Sequence, residues 1–234
     1  MTAFTLKTIA VTSMFLDHMA VAFPEHIPME FRIAGRLAYP IFVYLVAEGF
    51  RHTKSPEKFL LRLFIFALIS QIPYDLALAG ANGQIDFFTN TNIFYTLFLG
   101  GVAIYGFEHF MQKNKPTLSI LCGLLPAAIV AKTLTTDYGG LGVLFIFAMY
   151  VIKKRKLKLA AFVVFCLSQF IGIVPMFMAG EYIRREYWFM IPAALVAVPL
   201  IAKYNGQRGY NLKWLFYAVY PAHLTLFAVI AHFI

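Results

Sequence analysis

The chain of 234 residues is 61% hydrophobic and 13% charged, with a mean hydropathy of +0.73, which leaves too little polar surface to cover a globule in water. A soluble enzyme is thereby excluded, and spans of about 20 residues with short loops use up the length, so residues 1–234 are expected to form a single transmembrane domain. The formal net charge of +9 does not point to nucleic acid, because the basic residues are confined to short loops and form no continuous face.

Apolar runs predict helices at Leu6 to Phe23, Ile33 to Phe50, Phe59 to Ala79, Asn92 to Phe110, Leu118 to Ala131, Tyr138 to Ile152, Leu157 to Ala179, Trp188 to Ala202 and Lys213 to Phe233. The expected fold is all-α and polytopic: a bundle of about nine transmembrane helices, with about seven to ten as the range, around a polar cavity. The fifth and sixth runs are short enough to form a re-entrant pair instead. The first run loosely copies a signal peptide, with Lys7 before it and Ala20-Val21-Ala22 at its end, but Asp17-His18 within it argues for an uncleaved span.

The loops test this pattern independently. Arg51, His52, Lys54, Lys58 and Arg62 follow the second run, Lys113 and Lys115 the fourth, Lys153 to Lys158 the sixth, and Lys203, Arg208 and Lys213 the eighth. The intervening loops hold Glu25, Glu30 and Arg32, then Asp86 with Asn82 and Asn90, then Lys132 and Asp137, then Glu181, Arg184, Arg185 and Glu186. Basic excess alternates with each crossing, which predicts a cytoplasmic N-terminus and an external C-terminus. Pro40, Pro73, Pro126, Pro175, Pro192, Pro199 and Pro221 fall within or at the ends of runs and predict several kinked helices. Cys122 and Cys166 lie in apolar runs and suggest neither a disulfide nor a metal site.

A charged side chain at mid-membrane costs about 2.5–3.5 kcal/mol on insertion scales, so each polar residue in a run needs a reason. Lys7 and His18 have ten residues between them, which on a helix places them about 16 Å apart along the axis and within about 20° of one face. Asp17 points about 100° away and is expected to meet another helix. Interhelical bonding accounts for a lone imidazole, whereas the adjoining Asp17, the aligned Lys7 and a second imidazole in Tyr220-Pro221-Ala222-His223 favour function. His109 and His232 are expected near helix ends, and His26 and His52 in loops.

Arg36, in Gly35-Arg36, either grips an anionic or carbonyl group or snorkels to the interface. Glu48 is expected to pair with a nearby base. The basic stretch from His52 to Arg62 suits lipid headgroups or a phosphate-rich cofactor, and Lys153 to Lys158 set topology before anything else. Asn92 offers an amide donor to a developing oxyanion, while Asn90 or Thr91 caps the helix it opens. Asp137-Tyr138-Gly139-Gly140 reads as an outer turn with a structural role.

Taken in order, these segments resemble the TraX family of bacterial membrane proteins, known for N-acetylating conjugative pilin. The resemblance rests on Leu16-Asp17-His18, Gly35-Arg36-Leu37-Ala38-Tyr39-Pro40-Ile41-Phe42, Glu48-Gly49-Phe50, His52-Thr53, Arg62-Leu63, Ser70-Gln71-Ile72-Pro73, Asn92-Ile93-Phe94, Asp137-Tyr138-Gly139 and Phe216-Tyr217-Ala218-Val219-Tyr220-Pro221-Ala222-His223-Leu224. That family is similar to a wider set of transmembrane acyltransferases, including bacterial polysaccharide O-acetylases and the lysosomal heparan glucosaminide N-acetyltransferase. Members of the O-acetylase group carry a basic residue, ten residues and a histidine on their first helix, and Lys7 and His18 match that spacing. A basic pair assigned there to acyl-CoA is matched in part by Arg62 with Lys58.

The resemblance implies an acetyltransferase of the bacterial inner membrane that takes acetyl-CoA from the cytoplasm. Its acceptor would be the amine or hydroxyl of a pilin-like peptide or a glycan. His18 would be the general base with Asp17 beside it, Lys7, Arg36, Asn92 and His223 would position the acyl group, and Arg51, Lys58 and Arg62 would hold the cofactor. The competing expectation is a proton-coupled transporter with Asp17, His18 and Glu48 as a relay. A third is a non-catalytic assembly factor.

Overall fold

The computed structural model describes residues 1–78, 85–168, 178–179 and 185–233, and the regular elements among them are helices. They are α1 (Ala3–Ala22), α2 (Glu30–Gly35), α3 (Ala38–His52), α4 (Pro56–Leu78), α5 (Ile93–Gln112), α6 (Pro116–Thr133), α7 (Gly139–Val151), α8 (Arg155–Ser168), α9 (Arg185–Leu195), α10 (Ala197–Ala202) and α11 (Lys213–Phe233). Among the described residues, five stretches are long and apolar enough to cross a membrane: Glu30–His52, which takes in α2 and α3, then α4, α5, α6 and α11. α7 and the run Trp188–Ala202 are apolar but shorter. α1 has the length, 20 residues, but Lys7, Asp17 and His18 keep it out of a set chosen on length and composition. Of about nine crossings expected, five therefore meet that standard among the described residues. Asn82, Pro175, Glu181 and Arg184 lie outside the described residues, as does the end of the expected seventh run.

α4 shows why lipid is the fitting solvent. Leu61, Ile65, Leu68, Ile69, Ile72 and Leu76 are exposed on its surface, an apolar face too large to leave in water. Proline marks where helices change course. Six residues of π-helix, Ser119–Leu124, run up to the turn before Pro126 in α6, and α9 stops at Leu195, the residue whose carbonyl Pro199 leaves without its intrahelical partner. Pro73 and Pro221 sit inside helices that continue past them.

The chain forms two compact units, Met1–Phe42 with Lys153–Phe216, and Val43–Ile152 with Tyr217–Ile234. In the first, α1 packs on α2, and α9 packs on both α2 and α8. The segment before α11 is laid across the start of α1. The Met1 ammonium donates to the Lys203 carbonyl at 2.6 Å, and the Ala3 and Phe4 amides donate to the Gln207 and Arg208 carbonyls at 2.8 and 3.0 Å. Those carbonyls satisfy N–H groups that the first turn of a helix cannot satisfy itself. Gly209 makes this contact possible: its φ is +71°, and an added Cβ would lie 2.7 Å from Thr2 Oγ1 and 2.9 Å from Phe4 Cβ.

In the second unit α5 is central, packed against α4, α6 and α7 around Leu99, Ala103, Leu124, Ala127, Ala131 and Val143. Its N-terminal end is tied to the loop before α7, where the Asp137 amide donates to the Thr91 carbonyl at 3.0 Å and the Thr96 hydroxyl to Thr136 at 2.9 Å. At the opposite end of α7, Arg51 of α3 donates to the Met149, Tyr150 and Ile152 carbonyls. Within each unit, the loops that meet are those the basic-residue alternation assigns to a common side.

Replacing Gly209 by Ala is expected to destabilise the first unit by about 1–3 kcal/mol, since both the backbone angle and the space are denied. Thermal unfolding of the full chain in detergent measures this, and an unchanged midpoint would show that the Met1–Phe4 docking is dispensable.

Candidate functional site

The residues singled out from sequence divide between the units: Lys7, Asp17, His18 and Arg36 belong to the first, and Glu48, Arg51, Lys58, Arg62, Asn92 and His223 to the second. On α1, Leu6, Ala10, Ser13 and Asp17 recur at the spacing of one helical face. Ser13 Oγ donates to the Ala34 carbonyl at 2.6 Å, and Asp17 Oδ1 receives Arg36 Nη2 at 2.5 Å and Arg32 Nε at 3.5 Å. The side chains of Asp17 and Arg36 are only 16% and 22% exposed, so this pair is shielded more than a surface salt bridge is. Gly35 opens the way to it, because a Cβ there would lie 2.8 Å from Asp17 Cγ. Asp17 thus meets another helix segment, as its angle on α1 predicts, and Arg36 is held by a carboxylate inside the protein.

α1 is unbroken between its ends, so Lys7 and His18 do share one face. His18 is half-buried, one step round the helix from Asp17. Lys7, also half-buried, places its Nζ 5.5 Å from the centroid of the Phe216 ring.

The second unit revises the expected cofactor contacts. Arg51 pairs with Glu48 and spends its other nitrogen on the carbonyls that end α7, so it caps a helix, and its distance in sequence from those carbonyls hid this role. Lys58 is exposed. Arg62 is half-buried, 5.8 Å from the Phe59 ring centroid and beside the Tyr217 hydroxyl, and its Nε has no hydrogen-bond partner.

Asn92 is fully buried and itself caps α5: its Oδ1 accepts from the Phe94 amide at 3.0 Å. Its Nδ2 donates to the Ala67 carbonyl and to Gln71 Oε1, both at 2.8 Å. Both amide hydrogens are occupied, so Asn92 joins α5 to α4 and has none to spare for the oxyanion role expected of it. Gln71 Nε2 in turn donates to Asp75 Oδ1 at 2.8 Å, and Asp75 Oδ2 accepts from the Asp86 amide at 2.9 Å. Asp75 was not legible as a site residue, although two polar side chains four apart on an apolar helix are its signal. In the loop, the Thr89 hydroxyl and the Phe88 and Thr89 amides hold the Asp86 carboxyl below its ordinary value. His223 is buried between Tyr220 and Phe227, and its Nδ1–H donates to the Val219 carbonyl at 2.7 Å, which puts the basic lone pair of the neutral ring on Nε2.

Asn92→Ala removes the cap and takes one donor each from Gln71 Oε1, which keeps the residue-92 backbone amide, and from the Ala67 carbonyl. A loss of about 1–3 kcal/mol is expected. Denaturant unfolding of the detergent-solubilised chain checks it, and a near-neutral result would refute the tie between α4 and α5.

Helices of this length and hydropathy, apolar outside and with ion pairs and amide networks within, define an all-helical protein of the multi-pass membrane class. The family model described as TraX protein matches residues 3–231, and the chain belongs to that family. It is similar to the probable fimbrial assembly protein FimC, serogroup H1, of Dichelobacter nodosus, with 28% identity over 244 aligned positions covering 96% of this chain and 93% of that protein. No solved structure matches it.

Proposed function

We propose that this protein is a membrane-embedded acetyltransferase that moves an acetyl group from cytoplasmic acetyl-CoA to an amine or hydroxyl acceptor, with His18 as general base. The observation that supports it most is the arrangement on α1. Arg36 and Arg32 hold Asp17 in ion pairs, which makes His18 rather than the carboxylate beside it the proposed base, with Lys7 aligned on its face. In the transfer step an imidazole nitrogen of His18 takes the acceptor's proton as its nitrogen or oxygen attacks the thioester carbonyl carbon. The carbon–sulfur bond breaks, and the imidazolium returns the proton to the departing thiolate, so acetylated acceptor and free CoA leave.

The fimbrial assembly role in the name of the Dichelobacter relative makes the terminal amine of a fimbrial subunit the first acceptor to test, and a surface glycan the second. The proposed setting is the inner membrane with the N-terminus cytoplasmic, a side that rests on the alternation of basic loops. Arg62 and Lys58 remain candidates for the cofactor's phosphates. A proton relay through Asp17, His18 and Glu48 has less support, since arginines hold both carboxylates.

Mass spectrometry of surface peptides and glycans from cells with and without the protein tests the proposal. The expected result is an acetyl group present only with the protein, and a His18→Gln variant expressed to the same level should transfer about 10²–10⁴-fold more slowly. Absence of saturable CoA binding, together with pH-driven flux in liposomes, would replace the enzyme by a transporter.

A further inference from the structure

We infer that the hollow at the start of α1 is a phosphate seat built by Lys7, Arg208 and Lys213. It is a small hollow that opens outward and is lined by these three cations with Phe4, Tyr210 and Phe216. It is far smaller than the pockets of about 300–1,000 Å³ that enclose whole small molecules, so it suits a phosphate group rather than a whole cofactor.

Among the described residues no carboxylate is paired with these cations. The ion pairs of Asp17 and Glu48 leave these three cations out, and the sequence has no carboxylate side chain after Glu186. Three cations gathered at one hollow repel one another, and an anion between them removes that cost. The site is also fixed in place. Arg208 is anchored by its carbonyl, which accepts from the Phe4 amide, and its Nη2 donates to Asn211 Oδ1. Gly209 lets the loop lie on Thr2 and Phe4, and Phe4 packs edge-on against Tyr210 and Phe216 at 5.3 and 5.8 Å between centroids. Guanidinium supplies a fork for two phosphate oxygens, and the two ammonium groups supply point charges.

A phosphate of coenzyme A and a phospholipid headgroup present the same chemistry here. The cofactor source rests on the acetyltransferase reading, whereas the seat does not. The test places the full chain in phosphatidylcholine nanodiscs and titrates adenosine 3′,5′-bisphosphate, which carries cofactor phosphates but no thioester. Saturable, salt-sensitive binding is expected, weakened at least about tenfold in Arg208→Gln/Lys213→Gln and largely kept in Arg208→Lys/Lys213→Arg. If the bisphosphate does not bind but native mass spectrometry finds phosphatidylglycerol retained by the wild type and lost from the Gln variant, the seat is a headgroup site. Equal bisphosphate binding and equal lipid retention by wild type and a Gln variant of unchanged thermal stability overturn the seat, even where acetyl transfer proceeds normally. Bisphosphate binding that the Gln variant loses, without acetyl transfer in any assay, keeps the seat and removes the enzyme reading.

Discussion

A carboxylate on an apolar helix has to find a cation, and the pairing of Asp17 with Arg36 and Arg32 is the constraint from which the first unit is organised. It fixes which face of α1 turns toward α2, because Leu6, Ala10 and Ser13 lie on the stripe that ends at Asp17. It explains a glycine beside Arg36, since any Cβ at Gly35 would occupy the space of the Asp17 side chain. It also sets the chemistry proposed for the neighbour. With the acid held by two guanidinium groups, the proposed base is the imidazole next to it in sequence.

The second unit satisfies its buried polar groups mostly with amides. Gln71, Asp75 and Asn92 are buried, and each finds its partners in the others, in the Ala67 carbonyl or in the amides of Phe94 and Asp86. This network joins α4 to α5 through Asn92 and Gln71 and gives the buried Asp75 carboxyl its hydrogen bonds. Arg51 shows how a conspicuous basic residue is absorbed by structure: its guanidinium ends α7 and neutralises Glu48 at once.

Local periodicity made α1 legible before any coordinates: ten intervening residues place Lys7 and His18 on one face, and the angle of Asp17 sends it to a different neighbour. The helical class, and the pairing of Glu48 with a nearby base, were legible as well. What lay beyond reading came from distant contacts. Arg51 caps carbonyls about 100 residues away, and nothing near it in sequence announces them. Asn90 and Thr91 looked like the cap of α5, yet Asn92 is the cap, because Gln71 and the Ala67 carbonyl draw its amide inward. Arg208 and Lys213 read as charges that set topology, and only the docking of their loop on Ala3 and Phe4 brings them beside Lys7.

A double-mutant cycle between Asp17 and Arg36, read by unfolding of the full chain in detergent, probes the organising pair most directly. Removing one member of a buried pair costs about 3–5 kcal/mol, and the partial exposure of this pair puts the expected single losses toward the low end. The account predicts that Asp17→Asn with Arg36→Gln loses less than the sum of the two single changes, by about 1–3 kcal/mol. Losses that simply add, within about 0.5 kcal/mol, would contradict it.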